Sequence, residues 1–225
     1  MTTLASRLAE VDGSIAEAAR SAGRDPGEIA RIVVTKFHPA ALVRQLHDLG
    51  VRDIAENRQQ ELTAKRDELV DLGDMRWHFV GQIQSKKARA VRRAASVVHS
   101  VDREKIVHAL EDPAADPIDV LVQVNLTDDP QRGGVAPEHA SRLAETIAAA
   151  DSLRLRGVMA VAPLDERPAA AFERLAHCAE NVRAVDAGAT WISAGMSQDF
   201  VEAIACGATH LRIGTAITGP RPPQD

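Results

Sequence analysis

The sequence predicts a single closed (β/α)8 (TIM) barrel carrying an extra helix at its N-terminus. Three observations lead there. Strand-like and helix-like segments alternate along almost the whole chain, the pattern of parallel strands joined by helices. Eight strand-like segments can be counted, the number that closes such a barrel. The length of 225 residues suits one barrel and buries a large core without disulfides or metals. An open doubly wound sheet is the competing arrangement. No composition shift, long linker, internal repeat or low-complexity stretch marks a second domain. Residues 1–225 therefore read as one domain, with the proline-rich end 218–225 as a fraying tail.

The elements follow in order. Leu4, Leu8, Val11, Ile15 and Ala18 fall on one face at helical spacing, which predicts the extra helix. After Gly23–Gly27 comes Ile32-Val33-Val34-Thr35, a β-branched run suited to a buried parallel strand. Strands are predicted at 31–35, 52–55, 76–80, 97–101, 118–125, 154–159, 190–193 and 210–213. Helices are predicted at 39–49, 57–71, 84–94, 103–111, 137–150, 168–187 and 198–206. Pro39 and Pro137 suit first helical turns, where a missing N–H costs nothing. Ala140, Leu143, Ala144, Ile147 and Ala148 make one apolar stripe within 137–150.

Composition excludes several function classes. Apolar residues make up 45% of the chain, so it folds; a formal charge of −5 disfavours general nucleic-acid binding. Cys178 and Cys206 lie far apart without metal-ligand spacing, which argues against structural zinc and fits a reducing compartment. The first twenty residues carry charges throughout, so neither a signal peptide nor a membrane contact is expected, and the expected location is the cytoplasm. Nothing demands more than a monomer. There is no tyrosine, and there are five lysines against 22 arginines.

In a (β/α)8 barrel, chemistry sits at the C-terminal ends of the strands. Strand 1 delivers Lys36 there. A lysine at a barrel mouth offers the amine that imine formation with an aldehyde requires, or it simply ends a strand and reaches solvent. The other four lysines read as residues of polar helical surroundings. Strand 7 delivers Ser193-Ala194-Gly195-Met196-Ser197 ahead of a helix, and strand 8 delivers Arg212-Ile213-Gly214-Thr215. Glycines beside hydroxyls let backbone N–H groups approach an anion, and loops after strands 7 and 8 are the recurrent phosphate site of this fold. The plainer alternative is that Ser197 caps a helix and Gly214 makes a turn. Arg212 could aim inward at a ring nitrogen held between strands 1 and 8, or pair with a core carboxylate. Asn57, after strand 2, could bond a ring hydroxyl or cap its helix. His78, among apolar residues of strand 3, is either a satisfied core histidine or a ligand. The run 84–93 carries five positive charges and reads as a solvated helix face, with an acidic partner or a phosphate as the alternative.

Together these segments resemble the pyridoxal 5′-phosphate (PLP) homeostasis protein family, also called the proline synthase co-transcribed or YggS-like family. The match runs over nearly the whole chain. It is carried by Val33-Val34-Thr35-Lys36, Glu56-Asn57, Gln60-Glu61 and Trp77-His78-Phe79-Val80-Gly81-Gln82-Ile83-Gln84. Gln123-Val124-Asn125, Gly157-Val158-Met159, Ser193-Ala194-Gly195-Met196-Ser197 and Arg212-Ile213-Gly214-Thr215-Ala216-Ile217 follow in order. The resemblance implies a barrel like the N-terminal domain of alanine racemase, without the racemase's second domain. It implies PLP as cofactor, held as a Schiff base on Lys36. The implied phosphate contacts are Ser197, Gly214 and Thr215, with Arg212 near the ring nitrogen and Asn57, His78, Met159 and Ser193 completing the site. The implied role is to bind and supply PLP and to balance vitamin B6 and amino-acid pools, with PLP-dependent apoenzymes as candidate recipients. There are departures from the family pattern: Ala55 for glycine, Arg58 for an aromatic, Ala194 for methionine, Thr218 for phenylalanine and Arg132 for lysine. The last removes any role needing a second reactive lysine at that position.

Three functions compete. A PLP carrier needs only the binding site. A PLP racemase or decarboxylase needs more. The related racemases use the PLP lysine on one face and a tyrosine of the second domain on the other, and this chain has no tyrosine. A lysine-imine aldolase would use Lys36 without PLP. The expectation is a carrier and not a turnover enzyme.

Overall fold

The computed structural model describes residues 2–220. Eight parallel strands close on themselves: β1 (Ala30–Val34), β2 (Asp53–Glu56), β3 (Arg76–Phe79), β4 (Val97–Val101), β5 (Ile118–Gln123), β6 (Leu153–Met159), β7 (Trp191–Ser193) and β8 (His210–Ile213). Each strand pairs with the next, and β1 pairs with β8 through Ile32↔Arg212 and Val33↔Ile213. The closed barrel is the predicted one, not the open sheet. Each predicted strand appears, with its ends shifted by two residues at most.

Helices wrap the barrel: α1 (Leu4–Ser21), α2 (Ala40–Asp48), α3 (Gln59–Glu68), α4 (Ala88–Ala94), α5 (Glu104–Leu110), α6 (Ala140–Ala148), α7 (Pro168–Val185), α8 (Phe200–Ala205) and α9 (Thr215–Thr218). The extra helix α1 buries Leu8, Val11, Ile15, Ala18 and Ala19, close to the face read from its spacing. It packs on α8 and α9 and is tied there by polar contacts. Arg7 Nε donates to Ile217 O at 2.7 Å, and Arg24 Nη1 donates to Ala208 O at 2.7 Å. Among the described residues β8 is followed only by the four-residue α9, and α1 covers apolar surface there.

Several local expectations change. Pro39 is the N-cap of α2, outside its first turn. The segments 84–94 and 137–150 each open with a 3₁₀ turn, Ser85–Lys87 and Pro137–His139. The short helix α9 was not expected. Thr218 ends α9 and is buried, whereas residues 221–225 of the expected tail lie outside the described residues. The basic run is not a uniform solvated face. Lys86, Arg89 and Arg93 are exposed, but Arg92 is buried and donates to Ser152 O (3.1 Å) and Asp116 O (2.9 Å). Among the described residues no helix is long and apolar enough to cross a membrane.

The main core lies between the sheet and the helices. A smaller apolar group, Val97, Leu121 and Met159 with Trp191 against them, fills part of the barrel interior. Below it Trp191 stacks on His210, with ring centroids 4.2 Å apart, and the guanidinium groups of Arg76 and Arg156 lie over the Trp191 ring. This part of the interior is therefore packed, and the C-terminal mouth is where this fold builds its sites.

Candidate functional site at the C-terminal mouth

Lys36 lies two residues past the end of β1, half-buried at the mouth. Its backbone is held on both sides. Before it, Thr35 Oγ1 donates to Glu56 Oε1 at 2.6 Å. After it, Phe37 adopts φ = 68°, a left-handed conformation that a bulky residue rarely takes. The Phe37 N–H donates to Glu61 Oε2 at 2.9 Å, and the Arg58 guanidinium lies 4.8 Å from the Phe37 ring centroid. A strained residue fixed by its surroundings commonly marks a functional site. Here it turns the chain sharply just after Lys36. Arg58, which departs from the family pattern, thus retains contact with an aromatic ring.

One of the remaining lysines does not lie in the polar helical surroundings expected of it. Lys65 is on α3 but is only 6% exposed. Its Nζ lies 2.6 Å from Glu56 Oε1 and donates to Thr35 O at 2.9 Å. The side chain reaches inward because β2 buries a carboxylate that needs a partner. Burial pushes the Glu56 carboxyl up, against the pull of Lys65 and Thr35. Glu56, Lys65 and Thr35 therefore form a buried buttress beneath Lys36.

Asn57, next to Glu56, has its Oδ1 buried without a hydrogen-bond partner. Its main chain is crossed by Gly81, where an added Cβ would fall 1.9 Å from Asn57 O. The glycine lets the β3 loop lie against the β2 loop and leaves the Asn57 amide facing an unmet polar requirement.

Ser197 does not cap α8. The N-cap is Asp199, whose Oδ1 accepts from Met196 N–H at 2.6 Å. Gly195 has φ = 92°, and a Cβ there would come within 2.8 Å of Ala203, so this tight turn requires glycine. On the neighbouring strand, Gly214 O accepts from the Ile217 and Thr218 N–H groups. That leaves the Thr215 and Ala216 N–H groups without an acceptor inside α9. The two loops are adjacent because β7 and β8 pair, with Ser193 opposite His210.

Arg212 points into the barrel. Nη1 donates to Ser193 Oγ at 2.8 Å and Nη2 to Ala160 O at 2.7 Å. Burial lowers its pKa to about 10, so it stays a cation at neutral pH. It does not pair with a core carboxylate. His78 is fully buried, with Nε2 2.9 Å from Asp53 Oδ1 and Nδ1 2.8 Å from His99 Nε2. His99 Nδ1 lies 2.9 Å from Ser193 Oγ. Met159 closes the floor beside Val97 and Leu121. Lys36, Asn57, Ser197, Gly214 and Thr215 thus gather at the mouth, while Ser193, His78 and Met159 lie in the interior around and below Arg212.

Asp53, His99, Lys65 and Glu61 were not read from the sequence as site residues. A signal was present for one of them, His99. With side chains alternating across a strand, His78 and His99 both fall on inward positions.

The family model for the N-terminal domain of alanine racemase matches residues 16–222. A pyridoxal phosphate homeostasis protein of Pseudomonas aeruginosa is 44% identical over 227 residues, spanning 98% of this chain and 97% of its own. The structure of PipY of Synechococcus elongatus, with PLP bound, superposes with a TM-score of 0.84 at 32% identity, covering 96% of this chain and all of that one. Alanine racemase of Corynebacterium glutamicum shares the fold at 15% identity and a TM-score of 0.69, with 94% of this chain matched to 61% of the racemase. The barrel, the ordered motifs at its mouth and these likenesses agree: the chain belongs to the pyridoxal phosphate homeostasis protein family.

Proposed function

We propose that this protein binds PLP as a Schiff base on Lys36 and acts as a carrier in PLP and amino-acid homeostasis. The observation that carries this reading is the convergence at one mouth of a lysine amine, an unpartnered Asn57 Oδ1, two adjacent loops suited to a phosphate, and the Arg212 cation beneath them. The solved relative with PLP bound supports it. The aldehyde of PLP supplies the electrophile that the lysine amine condenses with. Within the chain, Lys36 provides the amine, and Thr35, Glu56 and Glu61 hold its backbone. Ser197, Gly214 and Thr215 would offer hydrogen bonds to the phosphate, and Arg212 would meet the ring, with Ser193, His78 and Met159 completing the site. The chain acts as one cofactor-binding domain, and a monomer suffices because one chain supplies every residue. Free cysteines fit the cytoplasm, and PLP-dependent apoenzymes are the recipients. The test is a visible absorption band in purified protein given PLP, fixed onto one lysine by borohydride. No band at saturating PLP would sink the proposal.

The phosphate loops make a separate prediction. Pyridoxal, which lacks the phosphate, loses several charge-assisted hydrogen bonds at about 1.5–3 kcal/mol each. It is expected to bind at least about a hundredfold more weakly than PLP in a titration of the absorption band. Equal affinity would remove the phosphate from these loops.

The carrier reading also predicts no turnover. Racemisation needs positioned acid/base groups on both faces of the substrate's α-carbon. The chain has no tyrosine, and Arg212 leaves the pyridine nitrogen a weaker electron sink than a protonated ring. α-Proton exchange of L-amino acids in heavy water is expected to stay at the level of free PLP. Exchange at roughly one per second or faster, lost in Lys36→Ala, would make this a small PLP racemase or decarboxylase instead.

A further inference from the structure

Five polar side chains from five strands cross the barrel interior in a single line. Asp53 Oδ1 meets His78 Nε2 at 2.9 Å, and His78 Nδ1 meets His99 Nε2 at 2.8 Å. His99 Nδ1 meets Ser193 Oγ at 2.9 Å, and Ser193 Oγ accepts from Arg212 Nη1 at 2.8 Å. His78, His99 and Ser193 are fully buried.

The donors and acceptors admit one arrangement when both rings are neutral. An ionised carboxylate has no proton, so His78 carries its hydrogen on Nε2 and accepts at Nδ1. His99 must then donate from Nε2 and accept at Nδ1. Ser193 has one hydrogen, which goes to His99, and its oxygen is left to receive Arg212. Every link then has one donor and one acceptor, and all donate away from Arg212 towards Asp53. Burial favours the neutral form of both rings. Burial also pushes the Asp53 carboxyl up, but the hydrogen bond from His78 and nearby cations outweigh it and hold it below its usual range.

We propose that Asp53, His78, His99 and Ser193 are positioning residues for Arg212: their one-way hydrogen-bond chain holds the guanidinium in a single orientation, and so sets how long the cofactor is retained. The inference rests on the reading that PLP binds above Arg212. Asp53 lies at the far end of the barrel, where it also pairs with Arg76 Nε at 2.9 Å. A residue remote from the mouth would thus control release at the mouth, through four hydrogen bonds.

The test has two arms. In the first, the protein without cofactor is labelled with nitrogen-15 and its histidine rings are read by NMR at neutral pH. Both His78 and His99 are expected as neutral Nε2–H tautomers. A proton on His99 Nδ1, or an imidazolium at His78, would reverse the chain and overturn the proposal, whatever the protein binds. In the second arm, PLP release into an excess of a competing apoenzyme is timed. Asp53→Asn, nearly isosteric but no longer a fixed acceptor, and Ser193→Ala, which cuts the chain beside Arg212, are each expected to release PLP about tenfold faster. Arg76→Gln removes the same ion pair from Asp53 without touching the chain and is expected to release PLP at the wild-type rate. Wild-type release from Asp53→Asn and Ser193→Ala, or equal acceleration by Arg76→Gln, would overturn the proposal. Failure of the wild-type protein to take up PLP would instead sink the cofactor reading and leave the first arm to judge the chain.

Discussion

Lys36→Ala is expected to abolish the visible band and the borohydride-fixed cofactor while the barrel stays folded. The side chain is half-buried at the rim, and the β1 main chain is held by its pairing with β2 and β8 and by Thr35, Glu56 and Glu61. Loss of the lysine stem should therefore change stability by no more than about 1 kcal/mol. The nearest rival amine by sequence and packing is Lys65. It is spoken for: its ammonium is buried, lies 2.6 Å from Glu56 and donates to Thr35 O. Freeing it for condensation would leave a buried carboxylate unpaired, which costs about 3–5 kcal/mol. Covalent capture should therefore vanish in the variant. Peptide mapping that finds PLP fixed on Lys65, or any other lysine, at wild-type stoichiometry would refute the assignment.

The second large effect is acid unfolding that begins well above the carboxylate range. Burial lowers the pKa of His78 and His99, and burial with nearby cations brings His210 down to about 3. In the unfolded chain these rings titrate near 6.5. Below that value the unfolded state binds protons that the folded state refuses, so the stability they contribute is present above pH 6.5 and is lost as pH falls. His210 alone is worth about 1.4 kcal/mol per pH unit between pH 6.5 and its folded pKa of about 3, and His78 and His99 add losses in the same direction. Against a typical domain stability of about 5–15 kcal/mol, a marked loss of stability by pH 5 is expected. Asp53, held low, adds a loss in the same direction at more acid pH. Glu56, raised by burial, works the other way: its contribution is present at low pH and is lost as pH rises through its folded pKa. Denaturant titrations at several pH values check this. Constant unfolding free energy between pH 7 and pH 5 would show that the interior rings are not held neutral.

Much of the fold was legible because it is written in local periodicity. The apolar face of α1, the β-branched run before Lys36 and the stripe of α6 each depend on residues a few positions apart. Lys36 and the two glycine-hydroxyl loops were legible because a barrel presents its chemistry at strand C-termini, so locating strands 1, 7 and 8 locates the mouth. The ends of helices were less so. Ser197 sits where a cap is expected, but Asp199, two residues on, takes that place. Arg92 and Lys65 look like surface cations in a linear reading. Only the packed structure brings the Ser152 and Asp116 carbonyls to one and the Glu56 carboxylate to the other.

The sequence by itself determined the alternation of strands and helices, the inward and outward faces of each, and the order of the mouth residues, because these follow from spacings within single elements. Tertiary structure alone decided which buried polar groups are partners. His99 meets Ser193 across 94 residues, and Asp53 meets His78 across 25. No local pattern encodes those distances. They appear only once β8 closes on β1 and brings the inward positions of separate strands around one axis, where each buried donor must find an acceptor.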